Sequence, residues 1–165
     1  MAANKRGLTA GERKLLGDIF RDTIEYDRIT LQDGAGRNPL ALVALRSPKH
    51  WAMTYRNTIH YNKGHLHDDF SAAEDRYQAL LVHEVTHVWQ YTRLGLLPFG
   101  LRYGWNFISC DFNQGRLYDY DAETDFGSAT LEAQAQIVSH SWSLRGKPDG
   151  DALKAKLAGT GLYGL

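Results

Sequence analysis

Residues 80–90 read LLVHEVTHVWQ, and this stretch carries most of what the sequence says about the fold and its chemistry. His83 and His87 are four residues apart, so on a helix their imidazoles project from one face, about one turn along. Two imidazoles at this spacing can reach a single metal ion, and Glu84 stands one residue around the helix from the first. The pattern is typical of zinc hydrolases, in which such a glutamate acts as the general base.

The flanking residues predict that this motif lies in the middle of a helix. Ser71 and Glu74 have the spacing of a capping box, which marks a helix start. Apolar residues recur at three- and four-residue spacing up to Tyr91, and Gly95 followed by Pro98 predicts the end. The alternative is that the motif residues are ordinary helix-interface side chains. Each buried polar group would then need its own partner, whereas one metal ion satisfies all of them.

Zinc in a catalytic site takes a third protein ligand and keeps an open position for water. The metzincin form of the motif is excluded, because Gln90 and Arg93 occupy its glycine and histidine positions. The third ligand must therefore lie downstream, where the candidates are Glu123, Asp125, Glu132 and His140. We favour Glu132, because residues 128–139 are good helix formers, with Ser128 as the expected N-cap.

Composition restricts the class of protein. At 165 residues and 43% hydrophobic content, the chain can build one core, which predicts a single domain over residues 1–165. Nineteen basic and nineteen acidic side chains cancel without a basic block, which argues against nucleic acid as a partner. Because the sequence has neither a signal-peptide pattern nor a membrane-spanning apolar run, it predicts a soluble, cytoplasmic chain. With Cys110 as the one cysteine, the metal ligands must be histidines and carboxylates.

The pattern along the chain predicts the order helix, sheet, helix, long loop, helix. Thr9 and Glu12 form a capping-box pattern ahead of the first helix. Three strands are expected, at residues 26–31, 40–46 and 51–61. They would form a small twisted sheet packed on the motif helix.

The remaining segments are expected to be irregular. Residues 95–114 are rich in glycine and aromatic side chains, which would either line a substrate cleft or form a satellite core beneath a long loop. Residues 146–165 contain a short predicted helix and a glycine-rich end, and we expect a peripheral tail.

Five segments of the chain carry a resemblance to a known family: residues 8–31, 52–62, 68–71, 83–90 and 132–138. The chain resembles the small zincin-like metallopeptidase domains found as C-terminal extensions of type VI secretion spike (VgrG) proteins and as related stand-alone bacterial proteins. The resemblance implies an α+β zincin-like fold, in which a short sheet packs on the motif helix and a second helix carries the third ligand, at Glu132. In zincins generally one sheet edge borders the cleft, and residues 51–61 are the candidate for that edge.

The motif and the resemblance together predict a zinc-dependent peptidase. Zn²⁺ would be held by His83, His87 and Glu132, and Glu84 would act as the general base on a peptide or protein substrate. Two alternatives stay open: a zinc amide hydrolase acting on cell-wall peptides, and a zincin-fold binding module without turnover. The resemblance further implies a bacterial secretion-system effector that is delivered to a target-cell periplasm and associates with a secretion spike or an immunity protein.

The sequence leaves two features of the site undecided. Thermolysin-type enzymes carry a carboxylate four residues after the ligand glutamate, and here that position is Gln136. The orienting partner of a zinc-bound histidine must then come from elsewhere, with Asp119, Asp121 and Asp125 as candidates. The tetrahedral oxyanion needs a stabilising side chain besides zinc, with Tyr118, Tyr120 and His140 as candidates.

Overall fold

The structure, a computed structural model, describes residues 5–111 and 113–165. In this part of the chain a four-stranded mixed sheet packs against helices. The strands are β1 (Lys5–Arg6), β2 (Thr30–Asp33), β3 (Ala52–Tyr55) and β4 (Thr58–Tyr61). The helices are α1 (Ala10–Phe20), α2 (Pro39–Ala44), α3 (Asp75–Leu94), α4 (Leu96–Ser109), α5 (Leu131–Ser143) and α6 (Pro148–Ala155). The predicted α+β class is confirmed.

The sheet has the order β1-β2-β4-β3, with β2 and β4 parallel and the other pairs antiparallel. The strand predicted at residues 26–31 starts later, at Thr30, because Tyr26–Arg28 form a 3-10 turn. Residues 51–61 form two strands rather than one, joined by a tight turn in which Arg56 adopts a left-handed conformation with φ of 55°. Of these two strands, β3 lies at an edge of the sheet, while β4 lies inside it.

Residues 40–46 do not form the predicted strand, because α2 occupies this part of the chain. The Asn38 side chain accepts hydrogen bonds from the backbone N–H groups of Leu40 (2.9 Å) and Ala41 (3.2 Å). Pro39 occupies the first helical turn, where its missing N–H costs no hydrogen bond. These capping residues outweigh the run of apolar side chains that suggested a strand.

The motif helix α3 ends as predicted, at Gly95, whose φ of 81° suits a residue without a side chain. The predicted start is wrong. The capping box of Ser71 and Glu74 does not form, because the Ser71 hydroxyl donates to Asp69 Oδ1 (2.7 Å) within a short 3-10 turn. The helix instead begins at Asp75.

The capping box ahead of α1 is confirmed. Thr9 Oγ1 accepts from the backbone N–H of Glu12 (3.0 Å), and the Glu12 carboxylate accepts from the backbone N–H of Thr9 (2.8 Å). Glu12 is fully buried, and it also accepts two hydrogen bonds from the Arg6 guanidinium and one from the backbone N–H of Phe70. This buried ion pair ties β1 and α1 to the segment that leads into α3.

The predicted loop at residues 95–114 is largely helical, because α4 follows α3 with only Gly95 between them. Pro98 lies in the first turn of α4, where a proline is tolerated. Phe99 is buried, but α4 exposes a row of large apolar side chains: Leu97, Leu101, Trp105 and Ile108. Within the described residues, no helix combines the length and the apolar character needed to cross a membrane.

Helix α5 packs along α3 and carries the predicted ligand glutamate in its first turn. Its N-cap is Thr130, whose hydroxyl accepts from the backbone N–H of Ala133 (3.0 Å), and not Ser128 as predicted. Farther along, Ser139 Oγ donates to the Ala79 carbonyl of α3 (3.1 Å). This hydrogen bond joins the C-terminal half of α5 to the N-terminal half of α3.

The C-terminal residues 146–165 contribute two leucines to the core, so the prediction of a peripheral tail is wrong. Leu157 and Leu162 are fully buried in the same hydrophobic cluster as the inner face of α3. The signal that suggested a tail was the glycine content of the segment. Gly159 and Gly161 have φ values of 77° and 81°, which let the chain turn sharply and return these leucines to the core.

Candidate metal centre

Two helices bring three potential metal ligands together. His83 and His87 of α3 and Glu132 of α5 place their ligand atoms within 4.8 Å of one another. Nε2 of each histidine lies 3.2 Å from the same oxygen, Glu132 Oε2. Tetrahedral ligands bound at about 2.0–2.1 Å from zinc would stand about 3.3 Å apart, so the distance from each histidine to Glu132 and the donor types fit this metal.

Gln90, one turn beyond the motif on α3, holds the two helices in this arrangement. Its amide nitrogen donates to the Leu131 carbonyl (2.9 Å) and to Gln134 Oε1 (3.0 Å) at the start of α5. Its amide oxygen accepts from His87 Nδ1 (2.8 Å), which leaves Nε2 of that imidazole as the ligand atom. Gln90 is 1% exposed, so all three bonds are shielded from water.

The carboxylates suggested as orienting partners or third ligands have other roles. Asp125 is exposed and accepts from the backbone N–H of Ser128, and Asp121 accepts from the backbone N–H of Glu123. Within the described residues, the grouping of potential metal ligands contains neither these residues nor Asp119. The partner of His87 Nδ1 is instead the amide of Gln90. This contact has no sequence signature, because a glutamine can donate or accept almost anywhere.

Charge coupling between His87 and Glu132 shifts the pKa of both groups. Burial lowers the pKa of His87, but the negative charge of Glu132 and its hydrogen bond raise it more, to about 9. Burial raises the pKa of Glu132, but the charge of His87 and the hydrogen bonds from both histidines hold it well below its ordinary value. Without metal, the site therefore stores a proton on an imidazole, and a metal ion would displace that proton.

Glu84 is held toward the edge strand. The residue is 5% exposed, and Oε2 of its carboxylate accepts a hydrogen bond of 2.7 Å from Thr54 Oγ1 in β3. The same hydroxyl lies 3.2 Å from the Glu84 backbone carbonyl. Thr54 thus fixes the glutamate side chain between the motif helix and the cleft, a contact that depends on tertiary packing and has no sequence signature.

Two tyrosines border the ligand group. Tyr103 of α4 donates to Glu132 Oε1 (3.0 Å), the oxygen that does not face the histidines. The Tyr118 ring stacks on His83 with centroids 6.1 Å apart. Burial and the charge of Glu132 raise the pKa of both phenols, so both remain hydrogen-bond donors. Of the two, only Tyr118 was a sequence candidate, because Tyr103 fell in a segment predicted to be a loop.

The other two candidates for oxyanion stabilisation bind each other. Tyr120 Oη lies 2.5 Å from His140 Nδ1, and Gln136 Nε2 lies 2.7 Å from His140 Nε2. Neither residue is among the described residues that line the cleft at the metal ligands. Tyr118 does line it, which leaves Tyr118 as the candidate from the original three.

A cleft of about 480 Å³ opens onto the ligand group. Its walls are α2, the edge strand β3, and α4, and it includes Glu84 as well as the three ligand residues. A cavity of this size lies in the ordinary range of ligand-binding pockets.

The edge strand β3 lies beside this cleft. The N–H of Asn62 donates to the Trp51 carbonyl (2.8 Å), and hydrogen-bonded pairs alternate along an antiparallel ladder. Ala52 and Thr54 therefore direct their N–H and C=O groups away from β4, and both residues line the cleft. The predicted edge at residues 51–61 is thus confirmed for β3 and wrong for β4.

The fold is similar to that of a known effector domain. No protein-family model and no curated protein matches the sequence. Among solved structures, the effector domain of VgrG2b from Pseudomonas aeruginosa matches with a TM-score of 0.69 and 23% sequence identity. The match covers 96% of this chain and 85% of that one. At this identity the likeness establishes a common fold.

Proposed function

We propose that the chain is a zinc-dependent peptidase with a zincin-like fold, in which His83, His87 and Glu132 hold the metal and Glu84 is the general base. The observation that carries the proposal is the approach of both histidine Nε2 atoms to one oxygen of Glu132, at the base of a cleft. The Gln90 amide binds Nδ1 of His87, and the Tyr103 hydroxyl binds Oε1 of Glu132. The remaining atoms of these two side chains, Nε2 and Oε2, are therefore the ones that face each other at the ligand group.

The residues of the site have separable tasks in peptide hydrolysis. When bound, zinc lowers the pKa of a coordinated water and polarises the scissile carbonyl. Glu84, held by Thr54, accepts the proton of the attacking water and passes it to the leaving amine. Tyr118 stays protonated at neutral pH and is placed at the cleft to donate to the oxyanion.

The edge strand supplies a way to bind the substrate. An extended peptide would pair with the outward N–H and C=O groups of Ala52 and Thr54, as an added strand. Because Thr54 also holds Glu84, a peptide bound there would lie beside the general base.

The biological setting we propose is that of a bacterial effector delivered by a type VI secretion system to the periplasm of a target cell. The similarity to the effector domain of VgrG2b supports this setting. The corresponding partners would be a secretion spike and an immunity protein.

The test combines metal analysis with cleavage of peptide mixtures. We expect about one zinc per chain, and we expect Glu132→Ala to lower this ratio. Glu84→Gln should retain zinc while cleavage falls about 10²–10⁴-fold, the usual contribution of a general base. Glu123→Gln, an exposed acid in the same protein, is the matched control and should leave both unchanged.

Each failure identifies a different alternative. If the purified protein holds no zinc and gains none on incubation, the enzyme proposal is wrong. Zinc together with equal activity of the native protein and Glu84→Gln would leave a binding module. Cleavage of isolated peptidoglycan but of no linear peptide would favour the cell-wall amide hydrolase.

A further inference from the structure

Most side chains that line the cleft outside the metal centre are uncharged. On α2 its wall includes Leu40 and Val43, and on α4 it includes Phe99 and Gly100. Apart from Glu84, Glu132, the two ligand histidines and His50, whose Nδ1 lies 3.0 Å from the Ala44 carbonyl, the described residues that line it include no acidic or basic side chain. Between the α2 and α4 walls, a charged substrate side chain would lose its hydration without gaining a charged partner, whereas an apolar one would be stabilised by burial.

The α4 wall stands directly against the metal ligands. The Phe99 ring meets the His87 ring edge-on, with centroids 6.3 Å apart, and stacks on Tyr91 at 3.7 Å. Tyr103, one turn on, binds Glu132. A substrate side chain that contacts this wall therefore belongs to a residue beside the scissile bond.

Space for a large side chain is left at Gly100. A Cβ atom added at this position would have no heavy atom within 4 Å, although the residue lies in the middle of a helix. Glycine costs a helix interior about 1 kcal/mol relative to alanine. Because Gly100 lines the cleft, its missing side chain leaves space there.

On the basis of the peptidase function proposed above, we propose that the cleft selects substrates with a bulky apolar side chain beside the scissile bond, seated between α2 and α4, with Gly100 setting the accepted size. The substrate class is thus a protein or peptide with an aromatic or branched aliphatic residue at the cleavage site. A cell-wall cross-link of small and carboxylate-bearing residues would leave this space empty and bring charge into an uncharged wall.

The size of the cleft can be tested with a matched pair of glycines. Gly104 lies one turn beyond Gly100 on α4, is equally free of neighbours, and is not among the described residues that line the cleft. Replacing either glycine by leucine favours the helix, so both variants should fold with melting temperatures at or above that of the native protein. In zinc-loaded protein, Gly100→Leu should lower kcat/KM for a peptide with Phe at the cleavage site about tenfold or more relative to Ala, whereas Gly104→Leu should not.

The charge preference has its own matched pair on α2. Val43 lines the cleft and is 65% exposed, whereas Leu42 is 50% exposed and lies outside the described lining. Val43→Asp should reduce cleavage of the Phe peptide about tenfold and spare a peptide with Lys at that position. Leu42→Asp should change neither.

Binding provides a measurement that does not depend on turnover. Calorimetry on Glu84→Gln, with and without Zn²⁺, would compare capped hexapeptides centred on Phe, Ala and Asp. We expect the Phe peptide to bind about tenfold or more tightly than the Asp peptide, and Gly100→Leu to abolish the difference. Equal affinities, no detectable binding, or the same effect from Gly104→Leu would overturn the inference. Activity indifferent to Glu84, with the Phe preference intact, would overturn the peptidase proposal alone.

Discussion

The proton shared by His87 and Glu132 predicts how the stability of the metal-free protein depends on pH. The imidazole has a pKa of about 9 in the folded chain and an ordinary value of 6.5 without its partner. Folding therefore favours the protonated form, and this stabilisation is fully present below about pH 6.5. It is lost as the pH rises through about 9.

The size of the effect follows from the same two values. The interval between 6.5 and about 9 corresponds to about 3 kcal/mol of unfolding free energy. Glu132, whose pKa lies well below its ordinary value, is ionised throughout this range and adds no slope of its own. Since the two groups titrate as a coupled pair, the free energy belongs to the pair.

Urea unfolding of chelator-treated protein at about pH 6 and pH 9.5 measures this difference. Glu132→Gln is the reference, because it removes the partner charge and leaves every other titrating group in place. The native protein should lose about 3 kcal/mol more than the variant between the two pH values, and saturating Zn²⁺ should remove that excess loss. Equal losses in the two proteins would refute the coupling.

Three further changes test neighbouring contacts. Tyr103→Phe removes the donor to Glu132 Oε1 and should weaken zinc binding about 10–100-fold in competition with a chelator; an unchanged affinity would contradict this role. Gln90→Leu leaves His87 Nδ1 without its acceptor, so zinc affinity should fall similarly and unfolding free energy should fall by about 1–3 kcal/mol. Leu157→Ala should lower the free energy of unfolding in urea by about 2–5 kcal/mol, and a change near zero would show that this side chain does not contribute to the core.

The parts of the fold that the sequence predicted correctly are those with strong local signals. The α1 capping box and the end of α3 at Gly95 were both found from side chains that act on their own backbone. The α2 segment was mispredicted because the cap at Asn38 outweighs a run of apolar residues that fits either state. The burial of Leu157 depends on glycine turns whose direction only the tertiary structure fixes.

In the candidate site too, the residues with a local sequence signal were predicted, whereas the contacts made by tertiary packing were not. The spacing of His83 and His87 fixes their common face, and Glu132 could be chosen because it begins a helix. The contacts that hold these residues, from Thr54 and Gln90, depend on how separate elements pack together. A hydroxyl or an amide has no spacing rule that would reveal such a partner in a sequence.

Gly95 has a mechanical consequence for the cleft. It ends α3 and immediately precedes α4, with φ of 81° and ψ of 166°, a combination that residues with a side chain rarely adopt. The helix that carries two metal ligands and the helix that forms the apolar wall are therefore joined at one backbone position. The angle between these helices, and with it the width of the cleft, therefore depends on the two dihedral angles of a single glycine.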